Sequence, residues 1–429
     1  MANLWQGDIL TCTAAGKVLA LPDGFVRFTD DGTILCVSAA RPQHSEQDAF
    51  TDYRGKLILP AFCDLHLHAA QVPTAGLGYD RPFSDWLTQI TYPVEKRYTE
   101  PAIYRTLNRH LLRTLWHYGI MSAAVMGSAS ADAILDLLEA ADAAGMQITA
   151  GKMNADLPVY GPAQESTADS LRTTEILLRA AQKYSPRIRP RIRPCICPEF
   201  VPTCSDELLR GLGALASRYQ APVVTHHAEG SFDVEMTAKR FPHRSYAQVY
   251  KDFGLLGRTP TVMVHSVAAT AGELRLFAET GTLVAHCPHA LANVPADCAV
   301  PVMDYLGAGV RVGLGSDVGG GHTLDPLRQM VMAVQYASLT GAAHTALRMA
   351  DAFRMATLYS GAFFPQTGVL QTGYKLHALV IEDAPLRRFL PELPPMERLQ
   401  RFVYCGGPEY IAARYCCGQL LREPFPEVS

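Results

Sequence analysis

His66 and His68 stand two residues apart. Alternate residues of a strand point the same way, so both imidazoles can reach one ion. His226 and Asp317 lie far along the chain, each at the end of a short apolar run. Three imidazoles and one carboxylate form a borderline-to-hard ligand set that suits Zn2+, one per subunit, with Fe2+ or Mn2+ as alternatives. A further position would hold water, whose pKa a metal lowers towards neutrality. Glu229, three residues after His226, can share the pocket and shuttle a proton. His265 is placed to orient the nucleophile or stabilise charge on a tetrahedral intermediate, and Asp317 to accept a proton from the attacking water.

A strand-end histidine is by itself more often structural than ligating. The joint occurrence of His-x-His, His226, His265 and Asp317 carries the metal reading. His227 should point away from His226 by strand alternation and, with His286, is read as structural.

These residues need elements that bring them together. The middle of the chain alternates short apolar runs with amphipathic stretches. The runs at 57–66, 120–126, 147–153, 192–196, 222–226, 261–265, 282–286 and 310–315 are expected strands. The stretches at 102–116, 131–144, 170–184, 206–219 and 269–279 are expected helices. Eight strands alternating with helices suit an α/β (β/α)8 TIM barrel, whose strand C-termini converge on one face. No Gly-x-Gly-x-x-Gly follows a first strand, which argues against a dinucleotide-binding sheet. Gly319-Gly320-Gly321 reads as a flexible loop after the eighth strand.

Residues 1–58 and 366–429 carry short strands and turns instead. They are expected to pair into a small β-sandwich beside a barrel at 59–365. The doubled Arg-Ile-Arg-Pro at 187–194 reads as a solvated strand entrance rather than a phosphate site.

Composition narrows the function classes. The 429 residues are 48% hydrophobic and 18% charged, as in a globular enzyme, and the net charge of -3 gives no support for a nucleic-acid or membrane partner. The expected partner is a small heterocyclic substrate. Eleven scattered cysteines favour reduced thiols and a cytoplasmic location. The start Met1-Ala2-Asn3-Leu4-Trp5 does not look like a signal peptide.

The stretch Pro60-Ala61-Phe62-Cys63-Asp64-Leu65-His66-Leu67-His68 resembles the opening barrel motif of the amidohydrolase superfamily, and Gly315-Ser316-Asp317 its closing one. Within that superfamily the chain is similar to the guanine deaminase family over nearly its whole length. The resemblance runs through Gln71, Phe83-Ser84-Asp85-Trp86-Leu87, Tyr92-Pro93-Val94-Glu95, Gly151-Lys152, Thr225-His226-x-x-Glu229 and Asp317-Val318-Gly319-Gly320-Gly321. It implies hydrolytic deamination of guanine. Zinc would sit on His66, His68, His226 and Asp317, and Glu229 and His265 would be catalytic. Gln71 and Phe200 would contact the purine, with Trp86 and Glu199 in the same substrate site. A homodimer is implied as well.

Four positions depart from the family pattern: Glu199 stands where an arginine is usual, His289-Ala290-Leu291 replaces Asn-Ser-Asn, Ala268 a histidine, and His377 an aspartate. An ionised glutamate offers only acceptors and would repel a carbonyl that an arginine would bind. Either Glu199 turns away, or Arg191 or Arg193 substitutes, or the ring presents donors there. The competing substrates are therefore a pterin, an aminotriazine, a diaminopurine or a cytosine-like base. His227-Ala228-Glu229 imitates the cytidine-deaminase His-x-Glu, but no Pro-Cys-x-x-Cys follows. A scaffold protein that lost catalysis would be expected to lose ligands, and all are present.

Overall fold

The computed structural model describes residues 2–43, 47–159, 165–184, 191–267, 269–293, 300–340 and 346–426. Its first strands are β1 (Ala2–Cys12), β2 (Val18–Thr29), β3 (Ile34–Ser38) and β4 (Ala49–Pro60). The central strands follow as β5 (Phe62–His68), β6 (Ile120–Met126), β7 (Gln147–Gly151), β8 (Met153–Asn154), β9 (Ile192–Pro194) and β10 (Cys197–Pro198). Next come β11 (Val223–His227), β12 (Thr261–His265), β13 (Leu283–His286) and β14 (Arg311–Leu314). The tail supplies β15 (Ala378–Ile381), β16 (Ile411–Cys416) and β17 (Gln419–Leu420).

The two ends of the chain do meet. They form one seven-stranded sheet in the order β17-β16-β15-β4-β1-β2-β3. Among the described residues this is a single sheet, not the two facing sheets of a sandwich. The cause is β4, which pairs parallel with β1 along one edge and antiparallel with β15 along the other. The apolar run 57–66, expected as one strand, is also divided. Leu57–Pro60 ends β4, the Ala61 N–H extends its pairing with β15 by donating to the His377 carbonyl (2.9 Å), and Phe62 begins β5 against β6.

The central strands form two parallel four-stranded sheets, β5-β6-β7-β9 and β11-β12-β13-β14. Two sets of contacts join them. Ile196 bridges Val223 in parallel on one side. On the other, Asp317 N–H donates to the His66 carbonyl (2.8 Å) and His68 N–H to the Val318 carbonyl (2.9 Å). All four long strands of each sheet run the same way, so the ends of β5, β11 and β12 lie together. Strands β6, β11 and β12 are buried along their whole length, as parallel strands covered by helices must be.

The covering helices begin where the sequence places short polar side chains. Ser130, Ser166, Ser205 and Thr270 each accept a hydrogen bond from the third helical N–H, fixing the starts of Ala131–Ala143, Thr167–Gln182, Asp206–Tyr219 and Ala271–Thr280. No helix among the described residues is long and apolar enough to cross a membrane. The second Arg-Ile-Arg-Pro copy leads into β9, with Arg191 paired to Asp142; the first copy, at 187–190, lies outside the described residues.

Gly213 shows how tightly the helices are set. A Cβ there would lie 1.8 Å from the Phe253 carbonyl oxygen. Alanine has the better helix propensity by about 1 kcal/mol, but this clash is with backbone and cannot be relieved by a rotamer. Gly213→Ala is therefore expected to destabilise the protein by about 1–3 kcal/mol, read as a lowered urea midpoint. An unchanged midpoint would show that the two helices separate freely.

Candidate active site

The ends of β5, β11, β12 and the turn after β14 bring the predicted residues into one buried cluster. His66 Nε2 lies 3.1 Å from Asp317 Oδ1, and His68 Nε2 lies 3.5 Å from the same oxygen. His226 Nε2 is 3.3 Å from His68 Nε2. His265 Nε2 sits 3.5 Å from Glu229 Oε1 and 3.6 Å from Asp317 Oδ2.

Backbone turns aim these groups. Ala228, His265, Ser266 and Asp317 all have positive φ, between 47° and 66°. Non-glycine residues rarely adopt that region, and such strain gathers at functional sites. Ala228 ends the strand alternation after His227 and lets Glu229 return to the His226 side. His227 points away as expected: its ring meets Ser266 Oγ (3.1 Å) and Glu273 Oε1 (3.4 Å).

The cluster suits a metal ion on three grounds. Tetrahedral zinc with bonds of 2.0–2.1 Å needs its nitrogen and oxygen ligands roughly 3.3 Å apart; the His66–Asp317, His68–Asp317 and His68–His226 contacts lie near that spacing, and the three histidines offer nitrogens within 4.8 Å of one another. Burial lowers the pKa of all three histidines, so their lone pairs are available. Finally, the His226 Nδ1–H donates to the Glu199 carbonyl (2.6 Å), which fixes the tautomer that points a bare Nε2 at the cluster. Asp64 braces the arrangement: its Oδ1 accepts from the His66 and Ser316 N–H groups, both at 3.0 Å. Burial pushes the Asp64 carboxyl up to about 7.

Residues 57–406 match the amidohydrolase family model. This chain belongs to the amidohydrolase family. It is 30% identical to a guanine deaminase from C. acetobutylicum solved with guanine in its active site, with a TM-score of 0.91 and coverage of 98% of this chain and 100% of that one. It is 25% identical to E. coli guanine deaminase, TM-score 0.86, covering 98% and 99%. The guanine deaminase of Rattus norvegicus is 28% identical over 98% of this chain and 96% of its own.

In this amidohydrolase the cluster opens into a cavity of about 210 Å³. That is below the roughly 300–1,000 Å³ of drug-sized ligand sites, and suits a bare ring system. Trp86, Phe200, Phe83 and Phe232 form apolar walls. Trp86 is held by its indole N–H, which donates to the Leu77 carbonyl (3.1 Å). Gln71 lies at the rim of the cluster, its amide N–H donating to Glu95 Oε1 (2.9 Å) and its Oε1 accepting from the Gly319 N–H (3.3 Å).

Glu199 does not turn away. It lines the cavity, its Oε1 accepts from the Tyr92 hydroxyl (3.4 Å), and its Oε2 has no hydrogen-bond partner. Burial pushes its carboxyl up to about 7 and that of Glu95 up to about 8, the latter helped by the Glu199 charge. No lysine or arginine lines the cavity among the described residues. Arg191 is taken by Asp142 and Arg193 lines a separate recess, so neither substitutes. Ala268 lies outside the described residues.

Sequence reasoning missed Glu95, Tyr92 and Asp64 as parts of the site. Tyr92 and Glu95 stand in a segment that carries the family resemblance, which was their only signal. The expected flexibility of Gly319-Gly320-Gly321 is replaced by close packing: a Cβ on Gly321 would lie 2.0 Å from the Ser316 carbonyl oxygen, and one on Gly319 2.4 Å from Thr74 Oγ1.

Proposed function

We propose that this chain deaminates guanine to xanthine and ammonia, with His66, His68, His226 and Asp317 holding one zinc ion. The observation that carries the reading is the full-length agreement with a guanine deaminase that holds guanine, in a chain whose own buried cluster has zinc-ligand spacing.

When bound, the cation supplies Lewis acidity that makes water nucleophilic near neutral pH. Gln71, pinned by Glu95 and Gly319, orients the ring between Trp86 and Phe200. Burial raises Glu229 well above the usual carboxylate range, aided by Asp317, Asp233 and Glu199, the direction that favours the protonated acid this role requires. As water adds to the amine-bearing carbon, Glu229 gives its proton to the adjacent ring nitrogen, and Asp317 accepts a proton from the water. That proton passes to the amine, which leaves as ammonia, while the hydroxyl proton of the adduct returns to Glu229 and leaves the carbonyl of xanthine. His265, between Glu229 and Asp317, faces the charge that develops on the tetrahedral adduct. The same reading carries a cytoplasmic homodimer acting in purine breakdown.

The test is ammonia release from zinc-loaded protein with guanine. Removing the metal with a chelator is expected to abolish release, and one equivalent of zinc per chain to restore it. Ammonia release that survives complete metal removal would overturn the assignment. Glu199 favours one further reading, a ring bearing a donor amine where guanine has its carbonyl. A parallel assay with 2,6-diaminopurine, aminopterins and aminotriazines separates the two.

A further inference from the structure

A second group of potential ligands lies in the terminal sheet, apart from the catalytic cluster. His377 immediately precedes β15, Cys416 ends β16, and Cys417 begins the turn to β17. Cys416 Sγ is 3.4 Å from His377 Nδ1, and Cys417 Sγ is 3.7 Å from His377 Nε2. One ligand atom from each residue falls within 4.8 Å of the others. Cys416 and His377 are buried, and Cys417 is partly exposed, which leaves a way in.

Adjacent residues of a regular strand point to opposite faces. Here Cys417 has φ 49° and Gly418 φ 76°, so the chain turns at once after Cys416 and both thiols reach one imidazole. The surrounding backbone is fixed. The Gly418 N–H donates to the Leu376 carbonyl (2.9 Å), and the His377 carbonyl accepts from Ala61. The three side chains therefore meet across two strands whose register is already set.

We infer that His377, Cys416 and Cys417 form a second metal site for one thiophilic ion of the zinc class, joining β15 to β16. Two sulfurs and one imidazole, with no carboxylate, select zinc or cadmium over magnesium, calcium or manganese. Tetrahedral zinc sets nitrogen and sulfur ligands roughly 3.6 Å apart, close to the 3.7 Å between Cys417 Sγ and His377 Nε2; Cys416 Sγ meets the other ring nitrogen, so it must swing towards Nε2 to share the ion. The nearby Cys63 thiol is pushed up to about 12 by burial and stays protonated.

The probe is cadmium, added to the full-length protein already loaded with zinc at the catalytic centre. That centre has no sulfur ligand, so a thiolate-to-cadmium charge-transfer band in the ultraviolet reports only a cysteine site. The expected band saturates at one equivalent with the intensity of two thiolates. It disappears in C416S/C417S, while His377→Gln weakens binding about tenfold or more. Both variants keep ammonia release, which shows that they fold. If the double variant does not fold, C417S alone should halve the band. No band at stoichiometric cadmium would mean that the three residues are merely hydrogen bonded. A band unchanged in C416S/C417S would place the ion elsewhere. Either result overturns the inference.

Discussion

Glu229→Gln is expected to lower turnover about 10²–10⁴-fold, the usual span for loss of a general acid–base group, with metal content unchanged. The substitution keeps size and shape but removes the proton. Its position should hold, because the backbone N–H groups of Glu229 and Gly230 both donate to the Asp233 carboxylate, at 3.1 and 3.0 Å. The Glu229 carboxylate lies 3.5 Å from Nε2 of His265, which is not one of the four metal-ligand candidates. Elemental analysis beside a single-turnover ammonia assay separates the cases. Loss of both activity and metal would make Glu229 a structural support of the cluster. Full activity with metal retained would move the proton transfer to another group, and His265 or Asp317 would then be the nearest.

That experiment turns on a residue the sequence placed well, and the reason is geometric. His66-x-His68 and His226-x-x-Glu229 are short-range patterns, and a barrel-type fold converts strand ends into a common site whatever the intervening sequence. The central strands were legible for the same reason: Ile120–Met126 and Thr261–His265 are apolar runs that stop at polar residues. The run 57–66 misled because apolar character is continuous through Ala61, while the chain there changes partner, from β15 more than 300 residues away to β6, which no local pattern reports. Gln71 and Glu95 met a similar limit. Their bond joins two different short helical segments, and no local pattern reports it. Glycine runs carry the opposite hazard. Gly319–Gly321 has the composition of a mobile loop, yet a hydroxyl oxygen at Gly319 and a carbonyl oxygen at Gly321 leave no room for a side chain at those two positions.

Side-chain direction at a single position was the least legible feature, and Glu199 is where it matters most. Its backbone carbonyl fixes His226 while its carboxyl faces the cavity, so one residue touches both the histidine cluster and the pocket beside it. Glu199→Gln preserves that carbonyl and the side-chain volume. It exchanges an acceptor-only anion for an amide with both donors and acceptors. At a pH well above about 7, the value to which burial pushes this carboxyl, the wild type presents a charge that repels a ring carbonyl and attracts a ring amine. Gln removes the repulsion and can donate to the carbonyl. A mismatched buried polar contact is worth about 1–3 kcal/mol, so kcat/KM for guanine relative to 2,6-diaminopurine should rise about 5- to 150-fold in the variant. Measuring both substrates in both proteins makes the outcome independent of overall activity. An unchanged ratio would mean that the bound ring does not meet the Glu199 carboxyl, and its role would then be confined to holding His226 in the ligating tautomer.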